Sequence, residues 1–544
     1  MTVAVRSRGF TALGPMHHAF ATLKGIPAGL VCALLGAVAA LAFAPLHLSV
    51  SLLIGFVGLV WIIDGARSHK RWGRAAFYRG WAFGTGHFLV GLYWTAQPFL
   101  VEPEKHLAYI WMPVIALPAG MALITGAAVA AATVFWSSSP SRVFVFAAFF
   151  TLGELVRGTL FGGLPWNLAG TTWVPGGSLS QAASIGGAYW LTLITVFAMA
   201  SPAALVDTRE DRGLMVRLAP LLGAVIAFSG LWAWGGQRLA TPPEMTGQGL
   251  VLLDSGVSQK DKWTVGAVEV FRQYEDMLAA IDETPGDLVI LPEAAIPTTL
   301  LQTEGYVEAL TERAGARKVI IGTARYQTYD KPEPTYYNSL AVLDRTSGRS
   351  GPLALYDKHR LVPFGELPAA KIVPFGEALS AFLPSAVQRL ANSGYEAGPG
   401  PTILYVDGVA PFVAMICYEG LYPSIPRTAT PRAEWMLVIS NDGWFGEGFG
   451  PAQHAAQNRY RAIELGLPLV RVASRGQTGI VDGLGRLTVK AAPFPTQRDG
   501  WKPMIAEGVL PAALAPTPYQ RFGPAFLWLS LVVCCVLAFA TWRR

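Results

Sequence analysis

Three long stretches of this chain carry no Asp, Glu, Lys or Arg, and they limit what it can fold into: residues 25–46, 80–101 and 107–141. A helix needs about 20 apolar residues to cross the hydrocarbon core of a bilayer, so each run is long enough. The pattern predicts membrane spans near 27–46, 48–64, 81–100, 108–136, 143–160, 186–206 and 218–236, and an eighth from Phe522 to about Trp542. The second is short and the fifth carries charges. Only 14% of the 544 residues are charged, against 52% hydrophobic, which excludes a simple soluble protein and a disordered chain. The net charge of +6 does not indicate nucleic acid, because the basic residues sit in short segments between apolar runs.

Those basic segments predict an orientation. Arg6, Arg8 and Lys24 precede the first run; Arg67, Lys70, Arg71, Arg74 and Arg79 follow the second; Arg142 follows the fourth; Arg209, Arg212 and Arg217 follow the sixth; Arg543 and Arg544 end the chain. All fall on one side if the first span crosses outward, and the positive-inside rule makes that side the cytoplasm. The loop with Glu102, Glu104 and Lys105 then lies outside, as does the whole stretch 238–521. Residues 1–42 also admit a second reading, as a signal peptide cleaved after Ala40-Leu41-Ala42. The apolar run is long for that and continues through Phe43-Ala44-Pro45, and the outer placement of 238–521 holds either way.

From about residue 245 charges return. Short runs rich in Val, Ile and Leu predict strands at 249–254, 287–292, 318–323, 338–343, 402–406, 412–417, 435–440 and 469–473, with helices near 265–282, 304–315 and 452–466. Strands alternating with helices indicate a layered α/β domain, and such domains present reactive groups at strand ends. Three ends stand out: Asp287–Pro292 runs into Glu293, Leu353–Asp357 into Lys358, and Phe412–Ile416 into Cys417. Of the four cysteines, Cys32, Cys534 and Cys535 fall in apolar spans, so Cys417 has no disulfide partner in this region. It is a reactive thiol or a small core residue. A nucleophilic thiol needs thiolate character, which Lys358 would favour, and Glu293 can take its proton. His359 and His454 are the alternative bases. Two histidines and one cysteine are too few for common zinc spacings, so no metal is expected.

Glu293, Lys358 and Cys417, in this order at strand ends, resemble the Glu-Lys-Cys triad of the nitrilase superfamily. With seven apolar spans before and one after, the chain resembles its membrane-embedded branch, the apolipoprotein N-acyltransferases. Leu291-Pro-Glu-Ala294, Tyr337-Asn-Ser339, Lys358–Glu366, Cys417-Tyr-Glu419 and Ser440–Phe445 carry the likeness, with Phe43-Ala-Pro45, Gly91–Trp94 and Pro165-Trp-Asn167 in the apolar half. The resemblance implies an α-β-β-α sandwich, residues 238–521, inserted between the helices of an eight-helix membrane domain formed by 1–237 and 522–544. It implies transfer of an acyl chain from a phospholipid, through a thioester on Cys417, to the amino group of a diacylated apolipoprotein. Glu293 would accept the proton and Lys358 would hold the oxyanion. It further implies a monomer in the bacterial inner membrane with its catalytic domain on the periplasmic side. No cofactor is needed, because the ester already carries an activated acyl group.

Around the triad, Glu366 resembles a second glutamate of the family, and Tyr418, Glu419, Asn338 and Trp444 match its motif positions. Their plainer readings are a turn carboxylate, strand-end packing, a turn asparagine and a surface aromatic. Trp263 is a substrate wall or an interface anchor. Two departures stand at Asp254-Ser255-Gly256 and Ser474-Arg475-Gly476, where the family commonly has Gln-Gly-Asn and Asn-Thr-Gly. Glu154 and Arg157 lie three apart on one helix face and read as a structural ion pair or as support for a lipid site. His87 reads as an interhelical hydrogen-bonder. The segments 161–180 and 361–400 are candidate lids. The rival functions are a membrane-tethered amidase or nitrilase using water, and a transporter or inactive binding protein.

Overall fold

The computed structural model describes residues 13–137, 139–206, 214–281, 288–328, 334–347, 351–363, 365–367, 394–429, 432–495 and 500–542. The chain divides into two compact units. Met1–Gly158, Pro165–Ala240 and Arg521–Arg544 form one; Thr159–Leu164 and Thr241–Gln520 form the other.

The first unit is helical. Its main helices are Leu13–Ala21, Gly25–Ala40, Val50–Ala66, Trp72–Gly91, Leu117–Ala132, Arg142–Arg157, Ala183–Ala200, Leu214–Leu239 and Ala525–Trp542. Three helical stretches, Pro103–Phe135, Leu179–Leu205 and Leu214–Leu239, are long and apolar enough to cross a membrane, and Gly25–Ala40, Val50–Ala66 and Ala525–Ala538 are shorter apolar helices. Helices Gly25–Ala40 and Trp72–Gly91 meet backbone to backbone. A Cβ on Gly36 would strike the Phe83 carbonyl, and one on Gly86 the Ala33 carbonyl, the close approach that small residues permit in apolar bundles. His87 lies between these helices, bonded to the Gly36 backbone and packed against Phe43 and Phe83.

Several boundaries differ from the sequence reading. The run expected at 81–100 begins earlier, at Trp72, ends at Gly91, and continues as 3₁₀ turns over Tyr93–Leu100. Arg74 and Arg79 therefore sit inside a helix rather than in a loop. Arg79 is buried, donating to the carbonyls of Ile62 at 3.0 Å and Leu23 at 2.9 Å, near the ends of two other helices. Carbonyls at helix C-termini lack intrahelical donors, and a guanidinium there satisfies several at once. Arg142 does the same: it opens its helix, bonds the carbonyls of Ala203 and Val206, and pairs with Asp64 at 3.2 Å. The expected 27–46 run stops as helix at Ala40, and 143–160 at Arg157.

The second unit holds two sheets. Its strands are β1 (Met245–Asp254), β2 (Leu288–Ile290), β3 (Lys318–Gln327), β4 (Thr335–Leu343), β5 (Ala354–Asp357), β6 (Ile403–Val406), β7 (Val409–Ile416), β8 (Trp435–Asn441), β9 (Leu469–Ser474), β10 (Gly479–Val481), β11 (Leu487–Lys490), β12 (Ala492–Pro493) and β13 (Met504–Pro511). One sheet runs β12-β13-β1-β2-β3-β4-β5 and the other β11-β10-β9-β8-β7-β6. Each has a parallel centre, β1-β2-β3 and β7-β8-β9. These central strands hold apolar stretches, such as residues 250–253 and 436–439, that are buried on both faces. Alternate residues Val251, Leu253, Val289, Val319 and Ile321 pack with Val270, Tyr274, Met277 and Leu278 of helix Gln259–Ala280. The eight strands expected from sequence all form; β10 to β13 were not anticipated.

Candidate active site

Glu293 follows β2 and is 6% exposed. Its backbone presses on β3: a Cβ on Gly322 would lie 2.5 Å from Glu293 Cα, so only glycine admits this approach. The carboxylate meets three donors. Asn338 Nδ2 reaches Oε1 at 2.7 Å, Lys358 Nζ reaches the same oxygen at 3.3 Å, and the Asn441 N–H reaches Oε2 at 2.8 Å. A carboxylate accepts only, and these donors complement it.

Lys358 follows β5, and its N–H donates to the Asn338 carbonyl at 2.8 Å, extending the β4–β5 pairing. Its ammonium is 1% exposed and lies between Glu293 and Glu366, 2.9 Å from the latter. Burial opposes its charge, but the two carboxylates outweigh burial and hold it well above the usual lysine range. Asn338 Nδ2 also donates to Glu366 at 2.9 Å, and the Val362 N–H caps the other Glu366 oxygen. Asn338 and Glu366 thus form the cradle for the Glu293–Lys358 pair.

Cys417 ends β7 with φ of 53° and is buried. Burial and the Glu293 charge push its thiol up, while Lys358 and a bond to Ser440 pull it down; burial wins. The thiol lies beside a carboxylate that can take its proton.

Glu419 is fully buried and organises the backbone around Cys417. It accepts from the Tyr356 hydroxyl at 2.8 Å and from the N–H groups of His359, Arg360 and Ile416. The Tyr418 and Tyr422 hydroxyls donate to the Gly163 carbonyl, Tyr422 also to Gly162, and the Arg360 guanidinium bonds Gly162 while stacking on Tyr422 at 3.8 Å. Of the candidate lid 161–180, Gly162 and Gly163 are thereby fastened, and of the candidate lid 361–400, residues 364 and 368–393 lie outside the described residues. His359 is exposed and its ring meets the Gly398 carbonyl. Trp444 is half-buried in the turn after β8. Trp263 lies on helix Gln259–Ala280, its side chain outside the described residues.

The two departures from the family pattern touch each other. Asp254 accepts from the Gly256 and Arg475 N–H groups at 3.0 and 2.9 Å, and Arg475 Nη1 reaches the Gly256 carbonyl. Glu154 and Arg157, in the helical unit, do pair: Arg157 Nε donates to Glu154 at 3.0 Å and Nη1 to the Trp166 carbonyl at 2.9 Å.

Sequence reasoning missed a polar group beneath the site. Asp442 accepts from Ser440 at 2.7 Å and Arg471 at 2.7 Å, with His454 Nδ1 at 3.0 Å. Burial opposes its charge, yet Arg471 and His454 hold its carboxyl far below the usual range. Lys262, also missed, is buried and donates to the Ala294 carbonyl at 3.1 Å. The available signal was Ser440-Asn441-Asp442 closing an otherwise apolar strand. Among the described residues no cluster of ligands fit for a metal is present.

Residues 35–201 match the family described as Apolipoprotein N-acyltransferase N-terminal domain, and residues 256–497 the Carbon-nitrogen hydrolase family. An apolipoprotein N-acyltransferase from Caulobacter vibrioides is 34% identical over 512 residues, 91% of this chain and 92% of its own. One from Bradyrhizobium diazoefficiens is 34% identical over 524 residues, 93% of each chain. Among solved structures, a mutant nitrilase-superfamily amidase from Nesterenkonia is 17% identical and covers 53% of this chain and 98% of its own, with a TM-score of 0.35. Similarity sustained along 91% of one chain and 92% of the other assigns this chain to the apolipoprotein N-acyltransferase family.

Proposed function

We propose that this enzyme moves an acyl chain from a phospholipid to the α-amino group of a diacylglyceryl-cysteine apolipoprotein, with Cys417 as nucleophile, Glu293 as proton acceptor and Lys358 as oxyanion stabiliser. The observation that carries the assignment is the meeting of a buried ammonium with two carboxylates, 3.3 Å from Glu293 and 2.9 Å from Glu366, beside a buried thiol that feels both Glu293 and Lys358.

In the first step Glu293 removes the thiol proton as sulfur bonds the ester carbonyl carbon. Negative charge grows on the carbonyl oxygen, where Lys358 stabilises it. The ester C–O bond breaks, Glu293 returns the proton to the departing oxygen, and a lysophospholipid leaves. In the second step the acceptor amine attacks the thioester, Glu293 takes a proton from its nitrogen, and the C–S bond breaks with the proton passing to sulfur. A covalent intermediate lets two lipid substrates use one site in turn. Asn338, Glu366, Glu419 and Tyr418 support the triad, and Trp444 and Trp263 are assigned to substrate binding.

Both substrates are lipid-anchored, so the reading extends to eight spans, within 1–237 and 522–544, in the bacterial inner membrane. The domain 238–521 then lies on the periplasmic side, and the enzyme works as a monomer. The basic segments between apolar runs support this orientation.

The test is intact-mass spectrometry after incubation with phospholipid vesicles. An acyl adduct is expected on Cys417, discharged by a diacylated lipopeptide and missing in Cys417→Ala. Release of free fatty acid at the same rate without any amine would replace acyl transfer by hydrolysis.

A further inference from the structure

Six described residues other than glycine take the left-handed backbone conformation, and two of them sit at the reacting groups: Cys417 itself, φ 53°, and Ala294, φ 46°, directly after Glu293. A Cβ crowds the neighbouring carbonyl in this region, so such residues persist only where the surroundings hold them. Here the carbonyl of each strained residue meets a buried side-chain nitrogen. Lys262 Nζ lies 3.1 Å from Ala294 O, and His454 Nε2 lies 3.2 Å from Cys417 O. A carbonyl only accepts, so Nε2 carries the hydrogen in that contact.

Both donors are themselves held. Lys262 is 3% exposed and His454 fully buried. Asp442 faces His454 Nδ1 at 3.0 Å and is fixed by Ser440 and Arg471. Asp254 and Glu293 attract the Lys262 charge; burial lowers its ammonium to about 8, and ammonium and amine both retain N–H groups to give. The peptide unit is planar, so fixing the Cys417 carbonyl also fixes the Tyr418 N–H on the opposite side.

We propose that Lys262 and His454 are positioning residues, each clamping the carbonyl of a left-handed residue and so aiming Glu293 and Cys417 at one another. This rests on the reading of Glu293 and Cys417 as the reacting pair. Chemically, the clamps act on the acylation step and leave lipid binding alone, because neither side chain is required to touch the acyl donor.

The test uses the full-length enzyme in detergent and compares His454→Leu, His454→Gln, Lys262→Met and Lys262→Arg. Three quantities are read: the single-turnover rate of Cys417 acylation by a phospholipid, the KM for that phospholipid, and the melting temperature. His454→Leu and Lys262→Met are expected to slow acylation at least tenfold with KM within twofold. His454→Gln, which returns an N–H to the same carbonyl, and Lys262→Arg are expected to recover most of the rate even where the melting temperature stays low. Acylation within twofold of the parent in both His454→Leu and Lys262→Met overturns the proposal, as does a rate loss that follows melting temperature with no recovery in His454→Gln and Lys262→Arg. Should His454→Leu fail to accumulate, the Lys262 pair decides by the same criteria. Cys417→Ala and Glu293→Gln serve as the control: if either still acylates at the parent rate, it is the triad assignment that falls.

Discussion

Both units bury charge, and they balance it differently. In the helical unit Arg157 faces one carboxylate, Glu154, and spends a further N–H on the Trp166 carbonyl. In the two-sheet unit Lys358 faces two carboxylates, Glu293 and Glu366, with the Cys417 thiol beside them. A one-to-one pair within one helix, finished by a backbone acceptor in the turn that follows, is a structural contact. One ammonium shared by two carboxylates retains acceptor capacity, which is what proton transfer needs. The comparison teaches that burial of charge marks a working site only when the partners are left unequal.

The largest effect tests the unequal side. Cys417→Ala should abolish the acyl adduct and lower turnover by about 10³-fold or more; an adduct elsewhere in the mass spectrum would move the nucleophile. Glu293→Gln keeps the shape and the Asn441 contact but cannot take a proton, and should cost about 10²–10⁴-fold in kcat. Lys358→Met should cost about 10²–10³-fold with the helical content by circular dichroism unchanged.

Next comes the pH dependence of the thiol. Burial and Glu293 raise its pKa, so the thiolate forms only in alkaline solution. Alkylation of Cys417 by iodoacetamide should therefore climb with pH past the usual cysteine midpoint of about 8.5, and a plateau at or below it would mean a preformed thiolate. Gly322→Ala places a Cβ 2.5 Å from Glu293 Cα; the displaced strand end should lower kcat about tenfold or more. The smallest effect tests the balanced side. Replacing both Glu154 and Arg157 by Met should leave turnover within about twofold and stability neutral or improved, whereas Glu154→Met alone strands a buried guanidinium and should cost about 3–5 kcal/mol.

The strand set was readable because β1, β2, β3, β7, β8 and β9 each hold a short buried stretch rich in Val, Ile and Leu. Glu293 and Cys417 were readable because each follows such a stretch, and Lys358 because it follows the short run Leu353–Asp357, although β5 is only partly buried. β11 and β13 were hidden because their positions are largely or partly exposed, and β10 and β12 because they span only three and two residues. Arg79 was placed in a loop because hydropathy cannot tell a solvated arginine from one that satisfies the carbonyls of Leu23 and Ile62. Lys262 sits in Gln259-Lys-Asp-Lys262, which reads as a solvated first turn. Only the fold shows that its ammonium turns inward to Ala294. His454 was weighed as a base, and the structure turns its ring to a backbone carbonyl instead.

The grip of Arg360, Tyr418 and Tyr422 on the Gly162 and Gly163 carbonyls bears on how the enzyme can be dissected. Those two glycines stand more than 70 positions before residue 241 in the chain, yet they belong to the two-sheet unit. A fragment cut at 241–520 would leave behind acceptors used by Tyr418, next to Cys417, and the cost of a buried hydroxyl losing its partner is about 1–3 kcal/mol. A soluble version for crystallography or inhibitor screening would need the hexapeptide Thr159–Leu164 supplied alongside, as a fused or added peptide.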